Sequence, residues 1–582
     1  MKQHEIAGLF AQMADLLEYR GDNPFRIRAY RRAAQNLESF SGDLQRLADA
    51  GRLKGLSGIG PDLADKIAEY LATGTIGAIE RLKGSIPRGV LELLEVPGLG
   101  PKTAKLLTER LRISSVAELE RAGKAHRLQR LPGFQAKKEE NLLAGIAILN
   151  KGRERMHLGI ALPLARELLA TLQRVPGVTA VSTAVSLRRM KETIGDLDLL
   201  AASSRPKAVM DAFVRSPFCE RVLAAGTTKS SIITPEGVQV DLRVVEPKSF
   251  GAALQYFTGS KEHNVRLREL AIRKGLKVNE YGVFRVKTNA WLAGREEADV
   301  YRALGLAWIP PELREDGGEI EAAKAGRLPT LVEPRDIRGD FHIHTTWSDG
   351  SDSLETVAKA GERLGYQYLA ICDHSPSLKV AHGMTVPRLR RQMTQIRALN
   401  ARAARFRLLM GAEVDILADG RMDYPDEVLA ELDFVIGSIH SGFRQSEAVL
   451  TRRLIAAMRH PCVTLIAHPT GRLMGQREPY PLDLDAVCNA AKETGTALEI
   501  NAYPKRLDLS DTAARRAGEA GVMLAVSTDT HSLDQLDHMV IGLGVARRAW
   551  LSPRQLLNCL SRERLLAWIA RKRQRLALKN SS

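Results

Sequence analysis

Seven short apolar runs succeed one another in the C-terminal part of the chain: DFHIH, YLAICDH, RLLMGAEV, DFVIGSIH, VTLIAHP, ALEIN and VMLAVSTDTH. Segments of helical pattern separate them, and strand alternating with helix predicts a parallel βα barrel. The ends of the runs constrain the chain further. His342 and His344 follow the first, with Asp349 in the next loop, and Asp373 and His374 end the second. Glu413, His440 and His468 end the third to fifth; Glu499 and Asn501 end the sixth, and Asp529 and His531 the seventh. Strand C-termini of a parallel barrel face one mouth, so these side chains converge there. One strand-end histidine is more often a hydrogen-bonding residue than a ligand. Six of the chain's 13 histidines, with carboxylates between them, point instead to a metal cluster. Imidazole and carboxylate without thiolate suit Mn²⁺, Zn²⁺ or Fe²⁺ and metal-assisted phosphoester hydrolysis. Arg472, Lys505 and Arg506 lie just beyond strand ends as candidate phosphate holders, although basic residues there are frequently only solvated.

The chain has 582 residues, room for about four domains. With 85 Lys+Arg against 68 Asp+Glu the net charge is +17, which is compatible with a polyanionic partner. The five cysteines form no CxxC pair, so neither a disulfide framework nor a thiolate zinc site is expected, and a reducing cytoplasm fits. No apolar run approaches the ~20 residues needed to cross a bilayer. The N-terminal segment reads as an amphipathic helix rather than a signal peptide.

Helical pattern with Gly-Pro punctuation fills the first ~150 residues. Strand-like runs follow from Val175 to Val245, with a hairpin turn at Pro235-Glu236-Gly237. Helix and a short strand pair near Leu276–Val286 come next, then a charged, Gly/Pro-punctuated stretch over 315–340 that reads as a linker. The chain closes with a basic amphipathic helix, RERLLAWIARKRQRLALKNSS, expected to fray at its end.

LSGIGPDLADKI and VPGLGPKTAKLL share a Gly-apolar-Gly turn between helices. Gly58 and Gly60, and Gly98 and Gly100, permit close backbone approach, and the helix N-terminus that follows offers N–H groups to phosphate. Lys102 and Lys105 add charge to the second copy, and LPGFQAKKEENLL is a degenerate third with Gln135 in place of a glycine. These resemble helix-hairpin-helix motifs, which position a DNA backbone without reading its sequence. Lys66, on the helix after the first hairpin, reads by position as a solvated residue.

In SLRRMKETIGDLDLL, Asp196 and Asp198 are two apart and so share a strand face, and Asp241 lies on a neighbouring predicted strand. Three converging carboxylates suit a pair of Mg²⁺ ions and in-line phosphoryl transfer. Ser186 and Arg189 precede the pair, and YFTGSKEHNVRLR follows Asp241. With these residues the chain resembles the X family of DNA polymerases. The resemblance implies that Asp196, Asp198 and Asp241 hold Mg²⁺ or Mn²⁺, and that Ser186, Arg189 and Gly195 belong to the nucleotide site. It implies that Tyr256, Phe257 and Gly259 lie against sugar and base, Asn264 at the base minor groove, and Arg268 on the template strand. Lys66 aligns with the family's 5′-deoxyribose phosphate lyase lysine, with Tyr30 near it. Two features depart from the family. Val185 and Met190 replace glycines flanking Ser186 and the arginines, and either side chain would obstruct the triphosphate if aimed at it. Arg26 replaces a lysine and Asp62 puts an acid beside Lys66, which counts against lyase activity.

The barrel resembles the PHP (polymerase and histidinol phosphatase) domain. Its nine-ligand set maps onto His342, His344, Asp349, His374, Glu413, His440, His468, Asp529 and His531. The whole implies a multidomain fold: a helical helix-hairpin-helix N-terminal region, an α+β nucleotidyltransferase palm and thumb, and a C-terminal seven-stranded, distorted α/β barrel. The expected pieces are a lyase-like domain over 1–85, fingers over 86–150, palm over 151–245, thumb over 246–316, linker over 317–337 and PHP domain over 338–575. The implied activity is gap-filling synthesis on gapped or nicked duplex DNA with dNTPs, in base excision repair. A 3′→5′ exonuclease with Mn²⁺, Zn²⁺ or Fe²⁺ accompanies it, and abasic-site cleavage or 3′-phosphate removal are further activities of such proteins. A cytoplasmic, nucleoid-associated monomer is expected. Two rival readings are a small-molecule phosphatase, and a DNA-binding nuclease or scaffold with an impaired polymerase site.

Overall fold

The computed structural model describes residues 2–38, 44–56, 58–96, 99–131, 134–403 and 405–580, so Gly98 lies outside the described residues. Up to Glu154 every described element is a helix. Two apolar cores organise this region, one around Phe10, Tyr30 and Ile67, the other around Leu107, Leu119 and Leu128. Helices Pro61–Thr73 and Pro101–Leu111 begin alike: Gly60 and Gly100 are extended N-caps, and proline fills the first turn, where its missing N–H costs nothing. Gly58 has φ +74°, and a Cβ there would stand 2.5 Å from Asn36 Nδ2. The turn therefore requires glycine. The third hairpin helix starts at Ala136 with Gln135 as its N-cap.

A five-stranded mixed sheet follows, in the order Val178–Thr183, Leu197–Ser203, Gln239–Val245, Lys229–Ile233, Arg221–Ala225. Leu197–Ser203 runs parallel to Gln239–Val245 with Asp198 opposite Asp241. Pairing in this register puts both carboxylates on one face. The next unit has three antiparallel strands where the sequence predicted a pair: Leu276–Asn279, Gly282–Arg285 and Trp291–Ala293.

The expected linker over 317–337 is not a free tether. Its helix Glu319–Lys324 buries Ile320 and Ala323 in the same core as Leu267 and Tyr301. The buried Glu319 carboxylate lies 2.6 Å from His263 Nδ1, and His263 Nε2 is 3.0 Å from the Tyr301 hydroxyl. Gly/Pro and charge content suggested a tether because two apolar residues three apart are too few to show a helical period in so short a helix.

Seven parallel strands then pair in sequence order, from Gly339–Ile343 to Leu524–Ser527. The last is stitched back to the first: the Thr530 N–H donates to the His342 carbonyl at 3.1 Å, and the His344 N–H to the Thr530 carbonyl at 2.8 Å. Inside, Phe341 stacks on Phe434 at 4.9 Å between centroids. Leu565 and Ile569 of the C-terminal helix Arg562–Asn580 join this interior cluster.

That basic helix turns one lysine inward. Lys572 Nζ donates to the Met458 carbonyl and the Thr496 hydroxyl, at 3.2 and 2.8 Å, with no carboxylate partner among these contacts. Burial pushes its ammonium from 10.5 down to about 7. Between those values the unfolded chain binds a proton that the folded chain refuses, so stability rises with pH from about 7 toward 10.5 and is lost as pH falls through that window. We expect a slope worth on the order of a few kcal/mol, absent in Lys572→Met. Calorimetric melting of both proteins across this window checks it, and parallel profiles would refute it.

The sheet unit and the barrel share one hydrophobic cluster, with Leu158 and Leu187 from the former and Ile541 and Leu543 from the latter. Contact is close enough that a Cβ on Gly159 would lie 2.5 Å from Pro504.

Candidate functional sites in the barrel mouth and on the palm sheet

Three groups of ligand atoms lie within 4.8 Å of one another among the described residues, all in the barrel mouth. They are His344, Asp349, His374 and His531; His342, His344 and Asp529; and His374, Glu413 and His440. His344 and His374 each belong to two groups, so the three form one continuous cluster. His468, the ninth expected residue, stands outside the groups with Nε2 3.0 Å from Glu413 Oε1. The donor set fits divalent cations on a direct observation: His342 Nε2, both ring nitrogens of His344 and His374 Nδ1 are buried and make no hydrogen bond of normal geometry, although carboxylate oxygens of Glu413 and Asp529 stand 2.9–3.3 Å from three of them. Buried imidazole nitrogens without such a bond are costly unless something else satisfies them.

The cluster is strongly coupled. Burial alone would lower the His342 pKa, but Asp529, Glu413 and Glu499 hold it well above the ordinary value. His344 goes the other way, down to about 3, through burial and the neighbouring His531 and His374. Against burial, the surrounding histidines keep Glu413 and Asp349 ionised far below the usual carboxylate range. A cation needs neutral imidazole beside ionised carboxylate: His344 and the carboxylates are already in that state, and a cation would displace the proton that the carboxylates hold on His342.

Glu499 and Asn501 are placed behind the ligands. Glu499 Oε1 lies 2.8 Å from His342 Nδ1 and its other oxygen accepts the His468 N–H at 2.6 Å, aiming His342 Nε2 into the cluster. The sequence reading missed two residues of this kind. Asp415 lies 2.6 Å from His440 Nδ1, and Asp340 accepts the Thr528 N–H beside Asp529. Each sits two positions from a ligand on the same strand (Glu413 and His342), so the period-2 pattern was the available signal. Asp373 accepts the Thr345 and Ser348 N–H groups and so shapes the loop that presents Asp349.

The basic residues at the mouth divide. Arg472 is not free for substrate, because its guanidinium forks onto Glu192 of the palm unit at 3.1 and 2.6 Å. Arg506 reaches Asp529 at 3.5 Å, and Lys505 is exposed.

On the palm sheet, Asp196 lies in the bend before Leu197–Ser203, with Asp198 on that strand and Asp241 across from it. Burial first, then Asp196 and Asp241, push Asp198 up to about 7. Three acids this close repel without a cation between them. Lys229, absent from the sequence reading, meets Asp241 at 2.9 Å and helps hold its pKa low against burial. Ser186 and Arg189 are buried together in the turn before the acids. Gly259 closes on Arg189, since a Cβ there (φ +74°) would stand 3.1 Å from Nη1. Tyr256 and Phe257 meet edge to face at 5.1 Å, and Arg243 lies over the Phe257 ring. Asn264 Nδ2 donates to the Tyr256 carbonyl at 2.7 Å, which holds this segment in place. Gly195 precedes Asp196 in the same bend, and Arg268 is exposed with Nε donating to the Asn264 carbonyl at 3.2 Å.

Both departures in the turn adopt a backbone that favours glycine, and for Met190 the structure also answers the expectation of obstruction. Val185 has φ 48° and Met190 φ 53°, both in the left-handed region where glycine is favoured. The Met190 side chain points away into the barrel, where it packs on Gly544. Val185 carries the conformational cost without that compensation. Val185→Gly is expected to raise stability by about 1 kcal/mol, measured as the melting midpoint; an unchanged or lower midpoint would contradict it.

In the hairpin region Lys66 is held by Asp62 on its own helix, and Tyr30 is buried edge-on against Phe10 at 5.5 Å. Tyr30 is thus a core residue. Lys102 is largely exposed, 3.8 Å from Glu18, and Lys105 Nζ donates to the Arg20 carbonyl at 3.3 Å.

Four family models match: a helix-hairpin-helix domain over 1–76, a SAM-like helix-hairpin-helix tandem over 90–147, a DNA polymerase beta thumb over 253–315 and a PHP domain over 340–502. The DNA polymerase/3′-5′ exonuclease PolX of Bacillus subtilis is 41% identical over 573 residues, 98% of this chain and 100% of that protein. Probable phosphatases match shorter stretches of the chain. One from Thermoanaerobacter sp. is 29% identical over 230 residues, 38% of this chain and 89% of its own length. Another from Acetivibrio thermocellus is 29% identical over 201 residues, 33% and 78% respectively.

Proposed function

Because the chain belongs to the bacterial X-family DNA polymerases with a C-terminal PHP domain, we propose a DNA repair enzyme with two sites, gap-filling synthesis on the palm sheet and 3′→5′ resection in the barrel mouth. The observation that carries the second site is the set of buried imidazole nitrogens on His342, His344 and His374 that make no hydrogen bond of normal geometry. His342, His344, Asp349, His374, Glu413, His440, His468, Asp529 and His531 would hold the barrel's cations, with Mn²⁺ preferred to Zn²⁺ or Fe²⁺. Asp196, Asp198 and Asp241 would hold Mg²⁺ or Mn²⁺ on the palm sheet. Bound cations supply Lewis acidity and neutralise charge on phosphate oxygens at both sites.

The rest is the work of the chain's own groups. Asp198, with a pKa near 7, must shed its proton before it can serve as a ligand. Arg189 and Ser186 grip the triphosphate of the incoming dNTP, while Tyr256 and Phe257 bound the sugar and base. Arg506, beside Asp529, places positive charge where a phosphodiester enters the barrel. N–H groups after Gly60 and Gly100 and the net charge of +17 hold the backbone of gapped duplex DNA without sequence preference. Lys66, paired with Asp62, is not assigned a lyase role. No helix among the described residues is long and apolar enough to cross a membrane, and we place the enzyme in the cytoplasm with DNA.

Incubating the protein with a one-nucleotide gapped duplex bearing a 5′-phosphate, and with a 3′-recessed duplex, tests the reading. Incorporation of one dNTP on the first and shortening of the second are expected. Hydrolysis of histidinol phosphate in preference to both would favour the small-molecule phosphatase that the phosphatase relatives suggest.

A further inference from the structure

The turn Val185–Glu192, which carries the triphosphate-gripping residues, is held from the barrel side. Arg548, on the barrel helix Met539–Arg548, donates from Nη1 to the Arg189 carbonyl and to Glu315 Oε1, both at 2.9 Å. The same Glu315 oxygen accepts from Arg189 Nε at 2.9 Å. Arg548 is itself fixed by Asp511, which accepts from Nε at 2.8 Å. Met190 packs into the space that Gly544 leaves; a Cβ there would come within 2.6 Å of Met190 Cε. Two residues further, Glu192 is forked by Arg472.

We propose that Arg548 is a positioning residue of the polymerase site: through Glu315 and the Arg189 carbonyl, the barrel sets the guanidinium of Arg189 for the nucleotide's phosphates. The proposal rests on the reading of Arg189 as a phosphate ligand. Geometry supports it on two counts. Arg189 Nε goes to Glu315 and Nη1 to the Thr258 carbonyl, and neither bond uses Nη2, which a triphosphate oxygen would take. Charge is the second. Arg189, Lys191 and Arg548 surround Glu315, with Asp511 behind Arg548, so the cations exceed the carboxylates by one. The buried Arg548 and Arg189, 4% and 10% exposed, are balanced by Asp511 and Glu315, and the excess cation is the half-exposed Lys191, which leaves net positive charge at the edge of the turn for an anion to meet.

Arg548→Gln leaves Glu315 and the turn without their tether, so the guanidinium of Arg189 drifts from its aim. The KM for dNTP in single-gap filling is expected to rise about tenfold or more, with kcat little changed, with Arg548→Lys recovering part of the loss, and with 3′→5′ resection as in wild type. Arg189→Gln is expected to raise KM at least as much, and the double variant to be no worse than Arg189→Gln alone. A wild-type KM in Arg548→Gln beside a raised one in Arg189→Gln overturns the positioning role and keeps the phosphate reading. A wild-type KM in Arg189→Gln overturns the phosphate reading itself. Equal losses of synthesis and resection in Arg548→Gln reduce the contact to domain glue. If that variant does not fold, Gly544→Ala, which presses on Met190 from the same side, decides through the same KM.

Discussion

Replacing His344 by alanine is expected to abolish 3′→5′ resection, by about 1,000-fold or more, while gap filling persists. His344 offers two buried nitrogens that make no hydrogen bond of normal geometry, and it belongs to two of the three ligand groups, so its loss removes donors from both at once. Its neighbours make the effect larger. Asp349 and Glu413 are kept ionised by histidines around them, and a cluster that cannot hold its cations becomes a set of repelling charges. Manganese content of the purified variant, read beside shortening of a 3′-recessed strand, separates lost metal from lost chemistry. Resection at the wild-type rate would show that the barrel mouth is not the nuclease site.

Asp198→Ala is expected to do the reverse, with gap filling down about 1,000-fold or more and resection retained. Asp198 is buried beside Asp196 and Asp241; burial first, and then their charges, raise its pKa to about 7. A cation relieves that repulsion, so removing the carboxylate that feels both neighbours takes a principal ligand from the site. Full dNTP incorporation by this variant would remove the palm carboxylates from the reaction. If each variant lost both activities, the two-site reading would fail, because one site would then be serving both.

The barrel was legible because its chemistry repeats with its topology. Nearly every apolar run ends in a polar ligand, and parallel strands can only bring those ends to one rim, so His344 and His531 stack at 4.2 Å between centroids despite the chain between them. Asp198 and Asp241 were legible for the same reason, through strand alternation and neighbouring strands. What escaped the pattern were groups that act on other residues. Asp415 and Asp340 look like any strand-end acid until their imidazole or loop partners are known. Lys229 sits on the strand that the Pro235-Glu236-Gly237 hairpin pairs with that of Asp241, but no local signal turns its ammonium onto that carboxylate. The reading of 317–337 as a tether failed because Glu319 takes its meaning from His263, far back in the chain.

Composition, period-2 and helical patterning and the spacing of ligands determined the classes of structure and the two acidic centres, because these follow from local geometry repeated along the chain. Tertiary structure alone decided how the residues of the turn after Ala184 are seated. Met190 and Val185 lie in the same turn and have nearly the same φ, yet one is seated on Gly544 and the other is not. Arg472 and Arg506 are both arginines beyond strand ends, yet one is bound to Glu192 and the other faces Asp529. The difference lies in contacts between domains, and the direction of a side chain across an interface is set by the surface it meets.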